Sequence, residues 1–600
     1  MAQHVVAAIR ERIAASGDRP AMAWKAGGTW QTLTYRELGE RVEALASWLI
    51  QAGLQRGERA VIFAPNCPQW SIADLAIMTA GGVPVPIYAT DPPNQAAHVV
   101  HDSGARIAFA GGADQFAALA GVRGPSGPIE RTIVFDAAVA LDGPGAYHLD
   151  TLPHGSDAAA VSSRLADTTV DDVATIIYTS GTTGERKGAV LTHRNFWSQF
   201  EAVDAYFSVS EADRSLCILP LSHAYERAWT FYILYKGAAN YYLDDPKKAV
   251  EAMQEVRPTC MVSVPRLYEK IYSTARHKLS QSPAIKRAIA AWAMEVGREV
   301  GYARARGERV GPAQAAKHAL ADRLVLGKIR EVFGGPKQVL SAGGARLEPE
   351  IEEFFFAAGL LVCQGYGLTE TSPMVTCNRP GDFRFGTVGK PIPGCEVRVG
   401  QDGEILVRGA NVTQGYFGRE RETREAFEDG WFRTGDIGEV DADGFVRITD
   451  RKKDLIITSG GKNVAPALVE SVIGKDYYID QIAAVGEGRH YLAALVVPQF
   501  EALEAWARER GLTYESLRAL VRDARVVAFI AERIEQQQAV LARHERVKRF
   551  ALLSERFTQG GGEITPTLKN VRAAIAAKYA SLINAMYSSD WGGGGAEPAR

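Results

Sequence analysis

Amphipathic helices alternate with short buried strands between residues 34 and 112, and this alternation limits how the chain can fold more than any other feature. Thr34 and Glu37 have capping-box spacing, Leu38, Val42, Leu45 and Leu49 make one helical stripe, and Gly53 closes the helix. The apolar run 60–64 reads as a buried strand, followed by a helix over 70–79 and a strand around 83–88. Helix and strand in turn, joined by short loops, imply α/β layers with mostly parallel strands. Residues 172–262 repeat the theme, with strand-like runs at 174–178, 215–219 and 239–243.

Within 600 residues there is room for about three to five folded units. Lys and Arg (68) nearly balance Asp and Glu (70), and a net charge of −2 excludes a chain-wide basic field for nucleic acid. Cys67, Cys217, Cys260, Cys363, Cys377 and Cys395 lie far apart, with no CxxC and no Cys/His ligand spacing. That argues against a disulfide framework or a structural zinc, and for a reducing, cytoplasmic setting. The N-terminal segment lacks the apolar region of a secretory signal. The longest apolar run, 354–363, contains Gly359 and is too short to span a bilayer; it reads as a buried helix end entering a strand.

Residues 271–333 read as helical, with Ile285, Ile289, Trp292, Val296 and Val300 on one face between Pro283 and Pro312. From Arg276 to Arg330 there are twelve Lys/Arg against four Asp/Glu. Two readings stand: a solvated basic face, or a docking face for anionic lipid headgroups. Residues 385–450 are β- and Gly-rich, with a hairpin turn at 441–444; Asp441 and Asp443 lack the later ligands of a calcium loop. A charged stretch, 450–454, then separates this region from a smaller α/β segment ending near 585, and the last residues read as disordered.

Between two apolar runs lies YTSGTTGERKG, residues 178–188. Its glycines let the backbone approach a ligand, its hydroxyls and amides can donate to phosphate oxygens, and Lys187 adds a cation. It is not a Walker A loop, because no Gly-Lys-Ser/Thr follows at the needed spacing. Downstream come SAGGA (341–345), YGLTE (366–370), TGD (434–436), DRKKD (450–454) and GEITPTLK (562–569). In residues and order these motifs resemble the adenylate-forming superfamily of acyl-CoA synthetases, peptide-synthetase adenylation domains and luciferases, over essentially residues 30–580. LPLSHAYER (219–227), VPRLYEK (264–270), the helical insert and GGKNVAP (460–466) look specifically like long-chain fatty acyl-CoA synthetases.

The resemblance implies an α/β fold: a large N-terminal domain of α/β layers with a β-barrel-like part (1–450, with 271–333 a helical insert), and a small mobile C-terminal α+β domain. The hinge would be 451–454, the lid 455–586 and the disordered tail 587–600. It implies an ATP-dependent ligase that converts a long-chain fatty acid to acyl-AMP and then acyl-CoA, using Mg²⁺ and coenzyme A. Its rivals are an enzyme loading an acyl carrier protein and a non-catalytic lipid-binding protein. The protein would be cytoplasmic; peripheral contact with anionic membrane belongs to the second reading of the basic insert and not to the first.

By motif position, Thr179, Ser180, Gly181, Thr182, Thr183, Gly184 and Lys187 would hold the β- and γ-phosphates. Thr369 would contact the α-phosphate, and Glu370 with Thr179 would hold Mg²⁺. Tyr366 would stack on adenine beside Gly344 and Ala345, and Asp436 would accept from the ribose with Arg451 alongside. Lys569 would reach the α-phosphate and carboxylate oxygens during adenylation. Lys453 would be the hinge, and Gly460 and Gly461 would line the pantetheine tunnel. His223 lies where the acid would enter, and is either a substrate contact or a structural residue. Glu226 and Arg227 could pair with each other.

Overall fold

The computed structural model describes the chain except for residues 1–2, 125–126, 154, 180–185, 566–568, 589–590, 592–594 and 597–600. The capping box forms as read: the Thr34 hydroxyl accepts from the Glu37 amide at 3.2 Å, and the Glu37 carboxylate accepts from the Thr34 amide at 2.7 Å. The helix it starts, Tyr35–Gln51, buries Leu38, Val42, Leu45 and Leu49. Next in the chain, Pro68–Thr79 is apolar nearly all round and accordingly buried on every side, Gln69 excepted.

These helices lie between two sheets. On one side, five parallel strands run in the order Val83–Ile87, Arg59–Phe63, Ile107–Ala110, Arg131–Val134 and Ala146–His148. On the other is a nine-stranded sheet whose centre is parallel: Cys363–Gly367, Val339–Ala342, Cys260–Ser263, Arg214–Cys217 and Ala239–Tyr242. One apolar core joins the inner faces of both sheets to the helices between them, through residues such as Ile62, Phe109, Trp70, Phe231 and Val262. Further cores cover the outer faces.

The β-rich region is an antiparallel sheet of Cys395–Val399, Glu404–Gly409, Trp431–Val440, Phe427–Glu428 and Val446–Arg451. It remains open, so the expected barrel-like part does not close into a barrel. Its 441–444 turn is held by the Asp441 carboxylate, which accepts from the Asp443 and Phe445 amides, while Arg384 pairs with Asp441 and Asp443.

Residues 456–586 share a separate core around the strands Ile479–Val485, Leu492–Pro498 and Val547–Leu552. This small domain rests on the large one through Arg266 with Asp480 (2.9 Å), Ser471 with Glu348 (2.8 Å), and the His277 ring stacked on Tyr477. Of the expected tail, Gly595–Ala596 pair with Ala551–Leu552; most of the remainder lies outside the described residues.

The helical region departs from the expectation in two ways. Its first helix starts at Pro265, so VPRLYEK opens that helix. Along Ala284–Ala305, Val296 and Val300 are buried, but Ile285 and Ile289 are exposed. The reason is partnership. The second half of the helix meets Pro349–Ala357 so closely that a Cβ on Gly297 would sit 2.1 Å from the Ala357 carbonyl oxygen, whereas in the first half only the side bearing Ala290 and Ala293 is covered.

Candidate active site

Three parallel strands of the nine-stranded sheet, with Cys260–Ser263 between the first and second, deliver three predicted segments to one edge, as carboxyl ends of strands do in α/β sheets. Arg214–Cys217 leads to His223, Val339–Ala342 to Gly344 and Ala345, and Cys363–Gly367 to Thr369 and Glu370. Gly344 has φ +84°, a left-handed conformation costly for a residue with a Cβ, and both it and Ala345 are exposed as a ledge. The ledge is tied to the His223 segment by the Tyr225 and Ser341 hydroxyls, 2.8 Å apart.

Asp436 and Arg451 are cross-strand partners in the antiparallel sheet, which is why residues fifteen positions apart share a site. Arg451 Nε donates to Asp436 at 3.0 Å, and the Tyr366 hydroxyl donates to its other oxygen at 2.6 Å. Burial together with Asp436 holds the Tyr366 phenol far above its usual range. The carboxylate is thus fixed by two donors and only 4% exposed.

Thr179 and Lys187 face each other across the hairpin of Val173–Thr179 and Lys187–Thr192. The rest of the predicted phosphate loop (Ser180, Gly181, Thr182, Thr183, Gly184) lies outside the described residues. Tyr416 is a site residue that motif reading missed. Residues 415–417 pair along the second hairpin strand, through Val190 to Gly415 (3.0 Å) and Phe417 to Gly188 (2.8 Å). Tyr416 thereby donates its hydroxyl to Glu370 at 3.0 Å while Lys187 lies 5.5 Å from its ring centroid. Its only sequence signal is an aromatic residue in a Gly-Tyr-Phe-Gly run; the strand pairing that places it is not local.

Lys569 comes from the small domain, where its amide donates to the Thr565 hydroxyl at 3.0 Å. Its side chain is open to the solvent of the crevice, yet the protein around that crevice lowers its pKa to about 8, with Arg451 adding repulsion and Asp436 opposing. His223 is lowered to about 4 by burial and then by Lys569, so the two groups share one field. His223 also has a structural duty: its Nδ1 accepts from the Tyr225 amide at 3.2 Å and caps Ala224–Lys236.

The expected Glu226–Arg227 pair does not form. Arg227 instead forks onto Asp74, and Glu226 accepts from the Leu219 amide at 3.0 Å. Successive residues of a helix point about 100° apart, and Asp74 lies across the helix packing, facing Arg227. Burial lifts Glu226 to about 8.

Lys453 sits in the turn that leaves Val446–Arg451, and Gly460 and Gly461 are exposed in the turn between Ile456–Ile457 and Asn463–Val464. Among the described residues no three His, Cys, Asp or Glu gather into a metal cage. A single carboxylate with one oxygen held by Tyr416 suits an ion that keeps most of its coordination for phosphate and water.

A large α/β domain whose strand ends face a small domain across a crevice is the architecture of a solved adenylation domain of a carboxylate reductase from Mycobacterium chelonae. The match has a TM-score of 0.76 at 21% identity, covering 98% of this chain and 91% of that one, and is a likeness of fold. Residues 9–417 match the AMP-binding enzyme family and 453–590 match the AMP-binding enzyme C-terminal domain; the chain belongs to that family. It is 38% identical over 571 residues to a long-chain-fatty-acid–CoA ligase of Mycobacterium bovis, covering 94% of this chain and 93% of the relative. It is 31% identical to a peroxisomal long-chain acyl-CoA synthetase of Arabidopsis thaliana, covering 93% and 82%.

Proposed function

We propose that this protein is a cytoplasmic ATP-dependent ligase that joins a long-chain fatty acid to coenzyme A. A carboxylate oxygen of the acid attacks the α-phosphorus of ATP, and the bond to pyrophosphate breaks. The sulfur of coenzyme A then attacks the acyl carbon of the adenylate, its proton is lost, and the carbon–oxygen bond to AMP breaks. The first step joins two anions, so the protein's work is charge neutralisation and alignment. The observation that carries this reading is the convergence of Lys569, His223, Arg451 and Asp436 on one crevice.

In this reading Asp436 accepts from the ribose, Tyr366 and the Gly344–Ala345 ledge take the adenine, and Thr369 meets the α-phosphate. Thr179 and Lys187, with the 180–184 loop, take the outer phosphates. Glu370 and Thr179 would hold Mg²⁺, which supplies charge to the phosphates when bound. Lys453 is the hinge, and Gly460 and Gly461 border the coenzyme A path.

AMP release that depends on coenzyme A, measured across acids from short to very long, is expected to rise with chain length. Transfer to a carrier protein in preference to coenzyme A would change the acceptor, and absence of ATP–pyrophosphate exchange would remove the enzyme altogether. In the same exchange assay, Asp436→Ala is expected to raise the KM for ATP about 10- to 100-fold. That is the worth of one charge-assisted hydrogen bond of about 1.5–3 kcal/mol; an unchanged KM would take Asp436 out of nucleotide binding.

A further inference from the structure

Among the described residues five isoleucines or leucines are strongly exposed, and four belong to the helical insert: Ile285 (74%), Leu320 (52%), Leu324 (40%) and Ile289 (38%). Each pair is spaced by four residues, so each lies on one helical face. The two pairs stand on elements that pack on each other. Ala284–Ala305 packs on Pro312–Ala321 and the turn Asp322–Leu326 through Ala293, Val296, Ala321 and Leu326. At the margin of that small core are Trp292, one turn beyond Ile289, and Val325, next to Leu324.

The charge around these elements is unbalanced. Three of the four acids between 276 and 330 are taken by Arg298, Arg306 and Arg330 (Glu295, Glu308 and Asp322, at 2.6–2.7 Å), and Glu299 meets the Gln314 amide. The other nine of the twelve cations have no carboxylate within ion-pair distance among the described residues. They include Lys286 and Arg287 beside Ile285, Lys317 before Leu320, and Arg323 and Lys328 flanking Leu324. The basic face thus also carries four exposed large aliphatic side chains, the combination an anionic lipid surface takes up.

We propose that this face docks the protein on the surface of an anionic phospholipid bilayer, the aliphatic side chains entering the acyl boundary and the cations meeting headgroup phosphates. No helix of the described residues is long and apolar enough to cross a membrane, so contact through this face is peripheral. A nucleic acid is a poorer occupant, since exposed aliphatic side chains offer bases nothing to stack on.

The test is co-flotation with vesicles of phosphatidylcholine, with and without phosphatidylglycerol. Binding is expected only with the anionic lipid and should weaken as salt is raised. Ile285→Ser with Leu320→Ser should reduce it about tenfold or more while its salt dependence remains. Lys286→Glu with Arg323→Glu should reduce it by a similar factor and flatten the salt dependence. AMP release on a dissolved fatty acid should stay at the parent level in both variants, since none of the four residues belongs to the crevice. Equal binding to neutral vesicles, undiminished binding by either variant, or no binding would overturn the proposal. Displacement by excess glycerol phosphate would reassign the face to free phosphate.

Discussion

Replacing Lys569 by alanine is expected to lower acyl-adenylate formation by at least 10²- to 10³-fold, the range for removing one preorganised charge donor from a developing oxyanion. Thioester formation from supplied acyl-adenylate should change only a few-fold, because the proposed role of Lys569 confines it to the first step. ATP–pyrophosphate exchange reads the first half-reaction and coenzyme A acylation the second; equal loss of both would sink the assignment of Lys569 to adenylation alone. The pH profile adds a sharper test. A lysine held at about 8 carries its charge below that pH and loses it above. The kcat/KM for adenylation, which reports the free enzyme, should therefore fall about tenfold per unit on the alkaline side of pH 8. In Lys569→Arg the residual activity should lose that limb, since a guanidinium stays charged. Coenzyme A acylation should lack the limb in the parent as well.

What could be read from the chain was what is local. The capping box at Thr34 and Glu37, the buried strand after it and the turn at 441–444 each depend on neighbours within a few residues, and each forms. The order of short motifs carried the candidate site further than periodicity could, because Asp436 and Arg451 meet by strand register that no helical or strand pattern encodes. Tyr416 escaped for the same reason without a motif to flag it. Periodicity also says only that a helix has an apolar face. Whether that face finds a partner is a tertiary fact, and the Ala284–Ala305 helix buries Val296 while leaving Ile285 in solvent. Arg227 shows the limit most plainly. Its partner lies 153 residues away, and the adjacent Glu226 was the wrong candidate.

That distant pair carries the largest expected effect on stability. Asp74 and Arg227 are 0% and 1% exposed, joined by a fork whose Nε bond is 2.8 Å, with the Thr175 hydroxyl accepting a third donor and Trp70 and Phe231 5.5 Å from the guanidinium. Burial pushes the Asp74 carboxyl up and Arg227 pulls it back. Arg227→Leu leaves that carboxylate desolvated and alone, and is expected to cost about 3–5 kcal/mol, read from the denaturant midpoint of the large domain. Losing its cation raises the native pKa of Asp74 further above the unfolded value, so the native form of this variant holds a proton that the unfolded chain releases. The deficit should therefore grow as pH rises through the unfolded carboxylate range, about 4, and shrink in acid. Asp74→Leu combined with Arg227→Met should recover most of the loss, because an apolar pair of similar volume needs no compensation. Thr175 keeps its own bond to the Pro84 carbonyl at 2.7 Å in either case. If the double variant is as unstable as the single one, the cost lies in packing volume and the ion pair is not what holds this helix in place. His223 caps the same helix one turn earlier, so a loosened Arg227 should also raise the KM for the fatty acid, and restored stability in the double variant should lower it again.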